Sequence, residues 1–302
     1  MSNTVNGFGQ HILVPFDGSP LSAQGFSLAV GLATEGATIT ILHVEEQKDK
    51  SARSDLGLIA ERLRSIANGM TIETAVTAGE PAEAILGEAD RLGTDLIVMS
   101  TRGRGGLARL AFGSVTDQVV RRSHLSVAVI HGDKVHDSAT DEAGREPHRF
   151  ARIVLPLDGT EASGTALPAA TELAKRLSIP VLVVSTINLV PLTSPSMVQD
   201  IGMAMNVEDV YDETRESAEV WLSEASRRLT SDGVENNTEF LTGSAAYSIE
   251  SLTKPGDLIV MVTHGRSGID RVLSGSVSDQ LIRSGAAPVL IVRAAAFATT
   301  AS

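Results

Sequence analysis

The segment from residue 100 to residue 115, STRGRGGLARLAFGSV, combines glycines, arginines and a Gly-Ser pair in a chain that is acidic overall. Gly103 is followed by nine residues and then by Gly113 and Ser114. Glycine lets a backbone approach phosphate oxygens without a Cβ in the way, and a helix start offers an anion unpaired N–H groups and a partial positive charge. The segment therefore predicts either a phosphate site or only a tight turn followed by a helix N-cap.

The chain contains a second copy of this segment, which helps to choose between the two interpretations. Residues Thr101–Arg122 and Thr263–Ser284 are identical at 11 of 22 aligned positions. The second copy keeps the nine-residue spacing, with Gly265 before it and Gly275 and Ser276 after it. Because the glycines, the Gly-Ser pair, the spacing and an arginine recur in two diverged copies, we favour the anion site.

An aspartate follows the first apolar run of each half of the chain. Asp17 stands in Pro-Phe-Asp-Gly-Ser, and Asp158 stands in Pro-Leu-Asp-Gly-Thr. Such an aspartate can form an Asx turn or cap the next helix, or it can accept hydrogen bonds from ribose hydroxyls. Taken alone the motif favours the turn, whereas opposite a phosphate loop it favours the ribose.

Apolar runs alternate with amphipathic stretches in each half, which is typical of strands alternating with helices. This order predicts an α/β fold of two tandem Rossmann-like domains, each with a five-stranded, mostly parallel sheet flanked by helices. Ser19 and Pro20 fit an N-cap and a first-turn proline of the first helix. In the first half we predict strands near 11–16, 37–44, 71–77, 95–100 and 126–131, and helices near 20–34, 53–68, 81–92 and 114–123.

Parallel sheets bind ligands beyond the carboxyl ends of their strands, at the point where the strand order reverses. This rule places Asp17, Val44 and the glycine loop that begins at Ser100 along one crevice. The same rule brings together Asp158, Thr186 and the glycine loop that begins at Val262.

The internal repeat divides the chain into domains at residues 1–132 and 150–302, with a polar linker at 133–149. The Asp-Gly turns lie 158 − 17 = 141 residues apart and the glycine loops 265 − 103 = 162 apart, so the second half carries about 21 extra residues. We assign them to 188–213, a stretch with prolines, methionines and no long periodicity.

Composition and missing motifs limit the possible functions. The net charge of 25 − 37 = −12 disfavours nucleic acid and anionic membranes as partners, and the absence of cysteine excludes thiol catalysis and disulfides. No apolar run reaches the ~20 residues of a membrane span, and the first ten residues lack a signal-peptide pattern. We therefore expect a soluble, cytoplasmic protein.

Sequence motifs of common catalytic sites are missing as well. The chain has no Gly-Lys pair for a Walker motif, no H-E-x-x-H and no G-x-S-x-G, and Ala108 stands where a dinucleotide motif needs its last glycine. No nucleophile is evident beside a base. We therefore predict no catalytic residue and no metal ligand, and at most a weak ATPase activity.

These motifs resemble those of the universal stress proteins, as two family domains in one chain. The ATP-binding branch of that family carries G-x-x-G-x(9)-G-[ST] and Pro-x-Asp after the first strand. The resemblance covers both halves and implies an adenine nucleotide alpha hydrolase-like fold, with ATP as ligand, alone or with Mg, and a role in stress response. It also implies pairing of the last strands, here 126–131 with 288–293 as an intramolecular pseudo-dimer, which would cover exposed strand edges. A homodimer of the whole chain is a further possibility.

The resemblance assigns a role to each part of the motif. Main-chain groups at Val44 and Thr186 would read adenine, the two aspartates would hold ribose, and the glycine loops and helix starts would hold phosphates. Arg102 and Arg104 are candidate phosphate neighbours. The candidate ligand-binding residues of the first domain are Pro15, Phe16, Asp17, Val44, Ser100, Arg102, Gly103, Arg104, Gly113, Ser114, Val115 and Thr116. Those of the second domain are Pro156, Leu157, Asp158, Thr186, Val262, His264, Gly265, Arg266, Gly275, Ser276, Val277 and Ser278.

The first glycine of the family motif is replaced in both copies, by Ser100 and by Val262. Serine adds only a small side chain, whereas a β-branched valine would strain the backbone or narrow the slot. We therefore expect the first site to be the better one. Two alternatives stay open: an interaction module that keeps the fold without the ligand, and an enzyme that activates a substrate with ATP, against which the missing nucleophile and base count.

Overall fold

The computed structural model describes residues 8–19, 22–45, 52–101, 113–131, 146–187, 207–262 and 276–293. The elements of the first half are β1 (His11–Pro15), α1 (Gln24–Leu32), β2 (Thr38–Glu45), α2 (Ala52–Ile66), β3 (Thr71–Ala78), α3 (Pro81–Leu92), β4 (Leu96–Ser100), α4 (Ser114–Arg122) and β5 (Ser126–Ile130). Those of the second half are β6 (Arg152–Pro156), α5 (Glu161–Gly164), α6 (Leu167–Leu177), β7 (Val181–Ile187), α7 (Val207–Ser231), β8 (Asn236–Thr242), α8 (Ala245–Leu252), β9 (Asp257–Val262), α9 (Ser276–Ser284) and β10 (Val289–Val292).

The ten strands form one sheet in the order β3-β2-β1-β4-β5-β10-β9-β6-β7-β8. Pairing is parallel within each half, and the two halves join where β10 pairs with β5 in antiparallel register, with Leu290 opposite Ala128. The predicted α/β fold and the predicted pairing of the last strands are confirmed. Because the joining pair is antiparallel, the carboxyl ends of the strands in the two halves point to opposite edges of the common sheet.

Apolar side chains cover both faces of the sheet, as the unbroken apolar runs predict. One layer of buried side chains joins the sheet to α1, α2, α6 and α7, and the other joins it to α3, α4, α8 and α9. Strand β5 is buried along its whole length. The helices therefore hold the carboxyl ends of the strands in fixed positions on each side.

A second contact between the halves lies beside α1. The guanidinium of Arg176 on α6 donates from Nη1 to the carbonyl oxygen of Phe8 (2.9 Å) and from Nη2 to that of Leu32 (2.7 Å). Burial lowers the pKa of Arg176. The end of the predicted linker also bonds to α1, because the His148 N–H donates to the Ser27 carbonyl oxygen at 2.9 Å. Residues 133–145 of the predicted linker lie outside the described residues.

Two local expectations differ from the structure. Helix α1 begins at Gln24 rather than at Pro20, since the Ser19 hydroxyl accepts from the Ser22 N–H (3.1 Å) in a separate turn before the helix. The stretch predicted to be irregular, 188–213, is helical from Val207 onward. Residues 188–206 lie outside the described residues. Among the residues that the structure does describe, no helix is long and apolar enough to cross a membrane.

Candidate functional site

The strand order creates a crevice at the carboxyl end of β1. This strand lies between β2 and β4, so the chain leaves it toward one side of the sheet and returns on the other. The structure thereby brings Asp17, which follows β1, to the same edge as Val44 on β2 and Ser100 at the end of β4. In the second half, the matching strands β6, β7 and β9 place Asp158, Thr186 and Val262 in the same relation.

The start of α4 is held tightly against the end of β4. The Gly113 N–H donates to the Thr101 carbonyl oxygen at 2.9 Å, and the Thr116 hydroxyl donates to the Ser100 carbonyl oxygen at 2.9 Å. A Cβ on Gly113 would lie 2.6 Å from the Thr101 oxygen. The φ of Gly113 is −56°, so glycine is required here by this close approach and not by backbone conformation.

The predicted Gly-Ser helix start resolves into two different roles. Gly113 is the N-cap and provides no side chain to bond the first turn, whereas Ser114 is the first helical residue and is exposed. A helix leaves its first N–H groups without an intrahelical partner. Asp117 in the first turn is paired with Arg121, with 2.9 Å between carboxylate and Nε. The helix start therefore offers an anion main-chain donors, with Ser114 beside them.

Sequence reasoning missed Thr101, the residue between β4 and the glycine loop. Its N–H donates to the Ile130 carbonyl oxygen at 3.0 Å, and its own carbonyl oxygen receives the Gly113 N–H. Thr101 is 2% exposed, and its Oγ1 has no hydrogen-bond partner among the described residues. A signal was available, because threonine stands at this position in both copies of the segment.

Both aspartates form the turn that their motif predicts. Asp17 Oδ1 accepts the Ser19 N–H at 2.9 Å, and Asp158 Oδ1 accepts the N–H (3.0 Å) and the hydroxyl (2.6 Å) of Thr160. Asp17 is half-buried and Asp158 is exposed. The Asx turn does not exclude a ribose at either carboxylate, since a carboxylate has several acceptor positions.

The residues around Asp17 take mainly structural positions. Pro15 ends β1, and the side chain of Phe16 is buried against Phe26, with 5.3 Å between the ring centroids. His43, which sequence reasoning also missed, places its Nδ1 2.9 Å from the Phe16 carbonyl oxygen. The side chain of Phe16 is therefore part of the core and not of a ligand site.

The second domain differs at the same turn. Gly159 has a φ of +75°, and a Cβ on it would lie 2.5 Å from Cζ3 of Trp221 on α7. Trp221 therefore packs directly on the turn that follows β6, and its Nε1 is buried without a hydrogen-bond partner in the part of the chain that the structure describes. Val262 ends β9 and packs against the apolar layer that includes α7. No sequence pattern predicts the contact of Trp221 with Gly159, because this contact joins elements that are distant in the chain.

Several predicted site residues belong to parts of the chain that the structure does not describe. Those outside the described residues are Arg102, Gly103, Arg104, His264, Gly265, Arg266 and Gly275. In the second half, Pro156 ends β6, Leu157 is buried, and α9 begins at Ser276, followed by Val277 and the buried Ser278. Within the described residues, no group of three or more histidine or acidic side chains could hold a metal ion.

Comparison with known proteins agrees with this architecture. The model of the universal stress protein family matches the chain twice, at residues 9–131 and 149–293. A universal stress protein of Mycolicibacterium smegmatis is 24% identical over 84% of this chain and 80% of its own length, and one of Methanocaldococcus jannaschii is 29% identical over 48% of this chain and 82% of its own. The crystal structure of a universal stress protein from Archaeoglobus fulgidus superposes with a TM-score of 0.62, at 18% identity, covering 95% of this chain and 97% of that one. The chain therefore belongs to the universal stress protein family and carries two of its domains in tandem.

Proposed function

We propose that the first domain binds an adenine nucleotide, with ATP as the ligand, and that the protein acts in stress response as a nucleotide-dependent regulatory module with slow or no hydrolysis. The observation that carries this proposal is the close approach of Gly113 to the end of β4, where a Cβ would lie 2.6 Å from the Thr101 oxygen. It fixes a helix start at the carboxyl edge of the sheet, where its donors can face an anion.

The structure of the first domain suggests one role for each part of the site. Phosphates would lie at the start of α4, ribose at the Asp17 carboxylate, and adenine at the main chain near Val44. The Thr116 hydroxyl already bonds the Ser100 carbonyl oxygen, so this residue would contribute its N–H. Arg102 and Gly103 in the glycine loop would complete the phosphate site, with Mg bound through the phosphates. The proposal needs no catalytic residue.

Calorimetry with Mg-ATP tests this function. We expect wild-type protein to bind, and Gly113→Ala to bind at least about tenfold more weakly, because the new Cβ must displace the helix start. The matched control is Gly87→Ala on α3, where a Cβ meets nothing within 4 Å. It should bind like wild type, and thermal melting should show that both variants fold. Absence of binding heat from the wild type would refute the proposal.

An interaction module without nucleotide is the second candidate, and the second domain favours it. There the turn after β6 lies under Trp221, and the strand end carries Val262 in place of the motif glycine. If this candidate is right for the whole chain, mass spectrometry of purified protein should find no carried nucleotide, and a purified partner should bind equally with and without ATP.

We also propose that the protein works in the cytoplasm as a single chain, in which the two domains pair with each other. Pairing of β5 with β10 covers the strand edges through which two separate domains would associate, and the acidic, cysteine-free composition suits a reducing compartment. Light scattering should then give the mass of a single chain, and a homodimer would give twice that value.

A further inference from the structure

Two buried threonines lie at the start of α4, and only one of them has a partner for its hydroxyl. Thr116 is 4% exposed, and its hydroxyl donates to the Ser100 carbonyl oxygen at 2.9 Å. Thr101 is 2% exposed, and its hydroxyl has no hydrogen-bond partner among the described residues. Both residues are buried threonines at the same helix start. The lack of a hydrogen-bond partner is therefore particular to the Thr101 hydroxyl.

An unpaired buried hydroxyl is costly. Leaving such a group unsatisfied costs about 1–3 kcal/mol, and valine has nearly the same shape without that cost. Both polar main-chain groups of Thr101 are bonded, the N–H to Ile130 and the carbonyl oxygen to Gly113. The hydroxyl thus contributes nothing evident to the fold of the protein without its ligand.

The alternation of side chains along β4 assigns Thr101 to the face of the sheet that α3 and α4 cover. Side chains alternate between the two faces of a strand. Ile97 and Met99 of β4 belong to the buried layer that contains Val119 of α4, and Thr101 continues this alternation while its N–H extends the bonding to β5. The side chain of Thr101 therefore lies on the α3 and α4 side of the sheet, in the residue whose carbonyl oxygen accepts the N–H of the N-cap Gly113.

We propose that the Thr101 hydroxyl donates a hydrogen bond to a phosphate oxygen of the ligand at the start of α4. This inference rests on the proposed nucleotide site of the first domain. A phosphate group presents acceptor oxygens and no donor at neutral pH, which matches a hydroxyl proton beside the positive end of a helix. The ligand would then remove the cost of the unpaired hydroxyl, and Thr101 would contribute to phosphate affinity rather than to folding.

The test compares Thr101→Val, Thr101→Ser and Thr116→Val in the full chain by thermal melting without ligand and by calorimetry with Mg-ATP. Thr101→Val should melt at or above the wild-type temperature and bind Mg-ATP about ten- to a hundredfold more weakly, the range for a hydrogen bond to a charged group. Thr101→Ser keeps the hydroxyl and should bind within about threefold of wild type. Thr116→Val, which removes a satisfied hydroxyl, should melt at a lower temperature.

Inorganic tripolyphosphate separates failure of this inference from failure of the nucleotide proposal. If wild type binds neither Mg-ATP nor tripolyphosphate, both are refuted. If it binds only tripolyphosphate, the nucleotide proposal fails, and a weaker affinity of Thr101→Val for tripolyphosphate still supports the hydroxyl contact. If Thr101→Val binds the ligands of the wild type as tightly as wild type does, the hydroxyl has no role in phosphate binding. If it melts at a lower temperature, as Thr116→Val should, the hydroxyl stabilises the fold and the premise of the inference is wrong.

Discussion

The two domains build the same strand end from different side chains. In both, the residue after the proline that ends the first strand donates its N–H to the neighbouring strand: Phe16 to Leu42 and Leu157 to Val184, each at 2.8 Å. In both, an aspartate closes an Asx turn with a glycine at positive φ, +82° at Gly18 and +75° at Gly159. The backbone of the site is therefore common to both domains.

The side chains above this backbone differ. Helices α2 and α7 bury matching series of positions, and in that match Trp221 takes the place of Ile59. The matching buried positions are Leu56, Ala60 and Leu63 on α2 with Ala67 just after it, and Ala218, Leu222, Ala225 and Leu229 on α7. Likewise Ser185 takes the place of His43. A duplicated scaffold thus leaves the shape of each site to a few side chains from neighbouring elements.

The two glycines of the Asp-Gly turns, Gly18 and Gly159, should show the largest difference in stability between the domains. Alanine at either position is strained by the positive φ, at a cost of about 1 kcal/mol or more. At Gly159 the new Cβ would also lie 2.5–2.7 Å from the ring of Trp221. We therefore expect Gly159→Ala to lose about 3 kcal/mol of unfolding free energy in total, and Gly18→Ala to lose less. Urea denaturation followed by the emission of Trp221, the single tryptophan, measures both.

Mg-ATP binding by the same two variants sharpens the comparison. If the first domain holds the nucleotide, as we propose, Gly18→Ala should weaken Mg-ATP binding, while Gly159→Ala should leave affinity and stoichiometry unchanged. The opposite pattern would place the nucleotide in the second domain. Equal losses of stability would mean that Trp221 moves away from the turn at no cost.

The aspartates at the start of the fourth strand of each domain, Asp95 just before β4 and Asp257 as the first residue of β9, provide a smaller expected difference in stability. Asp95 accepts the N–H groups of Gly9 (2.6 Å), Gln10 and His11 (both 2.9 Å). Asp257 is buried and accepts from Arg152, at 2.6 Å from Nη2 and 3.0 Å from Nε. The hydrogen bond to this carboxylate stabilises the charged guanidinium and raises the pKa of Arg152.

Asparagine at each position tests which arrangement contributes more to stability. Asp257→Asn leaves a partly buried guanidinium without its carboxylate and should lose about 2–3 kcal/mol of unfolding free energy. Asp95→Asn should lose about 1–2 kcal/mol, because the side-chain oxygen of asparagine still accepts one of the N–H groups. Urea denaturation of both variants at pH 7 decides the order, and a larger loss at Asp95 would contradict it.

The elements that sequence patterns could predict are those whose signal is local. The apolar run of β4 and the sequence Gly79-Glu80-Pro81 before α3 indicate a buried strand and a helix start, and Glu80 does cap α3 by accepting the Glu83 N–H at 3.0 Å. The strand order then brings Asp17 to the same edge as Ser100, the residue at which the glycine loop begins, because parallel α/β sheets follow strict connection rules.

The features that sequence patterns missed depend on contacts between distant residues. Helix α7 begins at Val207, where the Tyr211 ring packs on Phe240 of β8, with ring centroids 6.1 Å apart. No pattern within 188–213 contains that contact. The unpaired hydroxyl of Thr101 and the contact of Trp221 with Gly159 likewise follow only from the packed positions of side chains.

The smallest expected effect on stability is that of His148, which lies where residues 146–150 contact α1. It tests how much this contact, rather than either domain, contributes to the pH dependence of stability. Burial lowers the pKa of His148 below its ordinary value of 6.5, and its Nε2 has no partner within the described ranges. A histidine with a lowered folded-state pKa stabilises the fold above pH 6.5, and that stability is lost as the pH falls through the folded-state value. Between pH 7.5 and pH 5.5, wild type should therefore lose more unfolding free energy than His148→Phe, by a difference on the order of 1 kcal/mol.

Phenylalanine suits the His148 position because the ring already packs on Phe150, with 4.7 Å between the centroids. Every other titrating group is common to both proteins, so the difference between their urea-denaturation curves at the two pH values isolates His148. Parallel pH dependence of the two proteins would show that the ring takes up its proton as easily in the fold as in water. In that case the acid sensitivity of the chain would arise within the domains and not at the contact of residues 146–150 with α1.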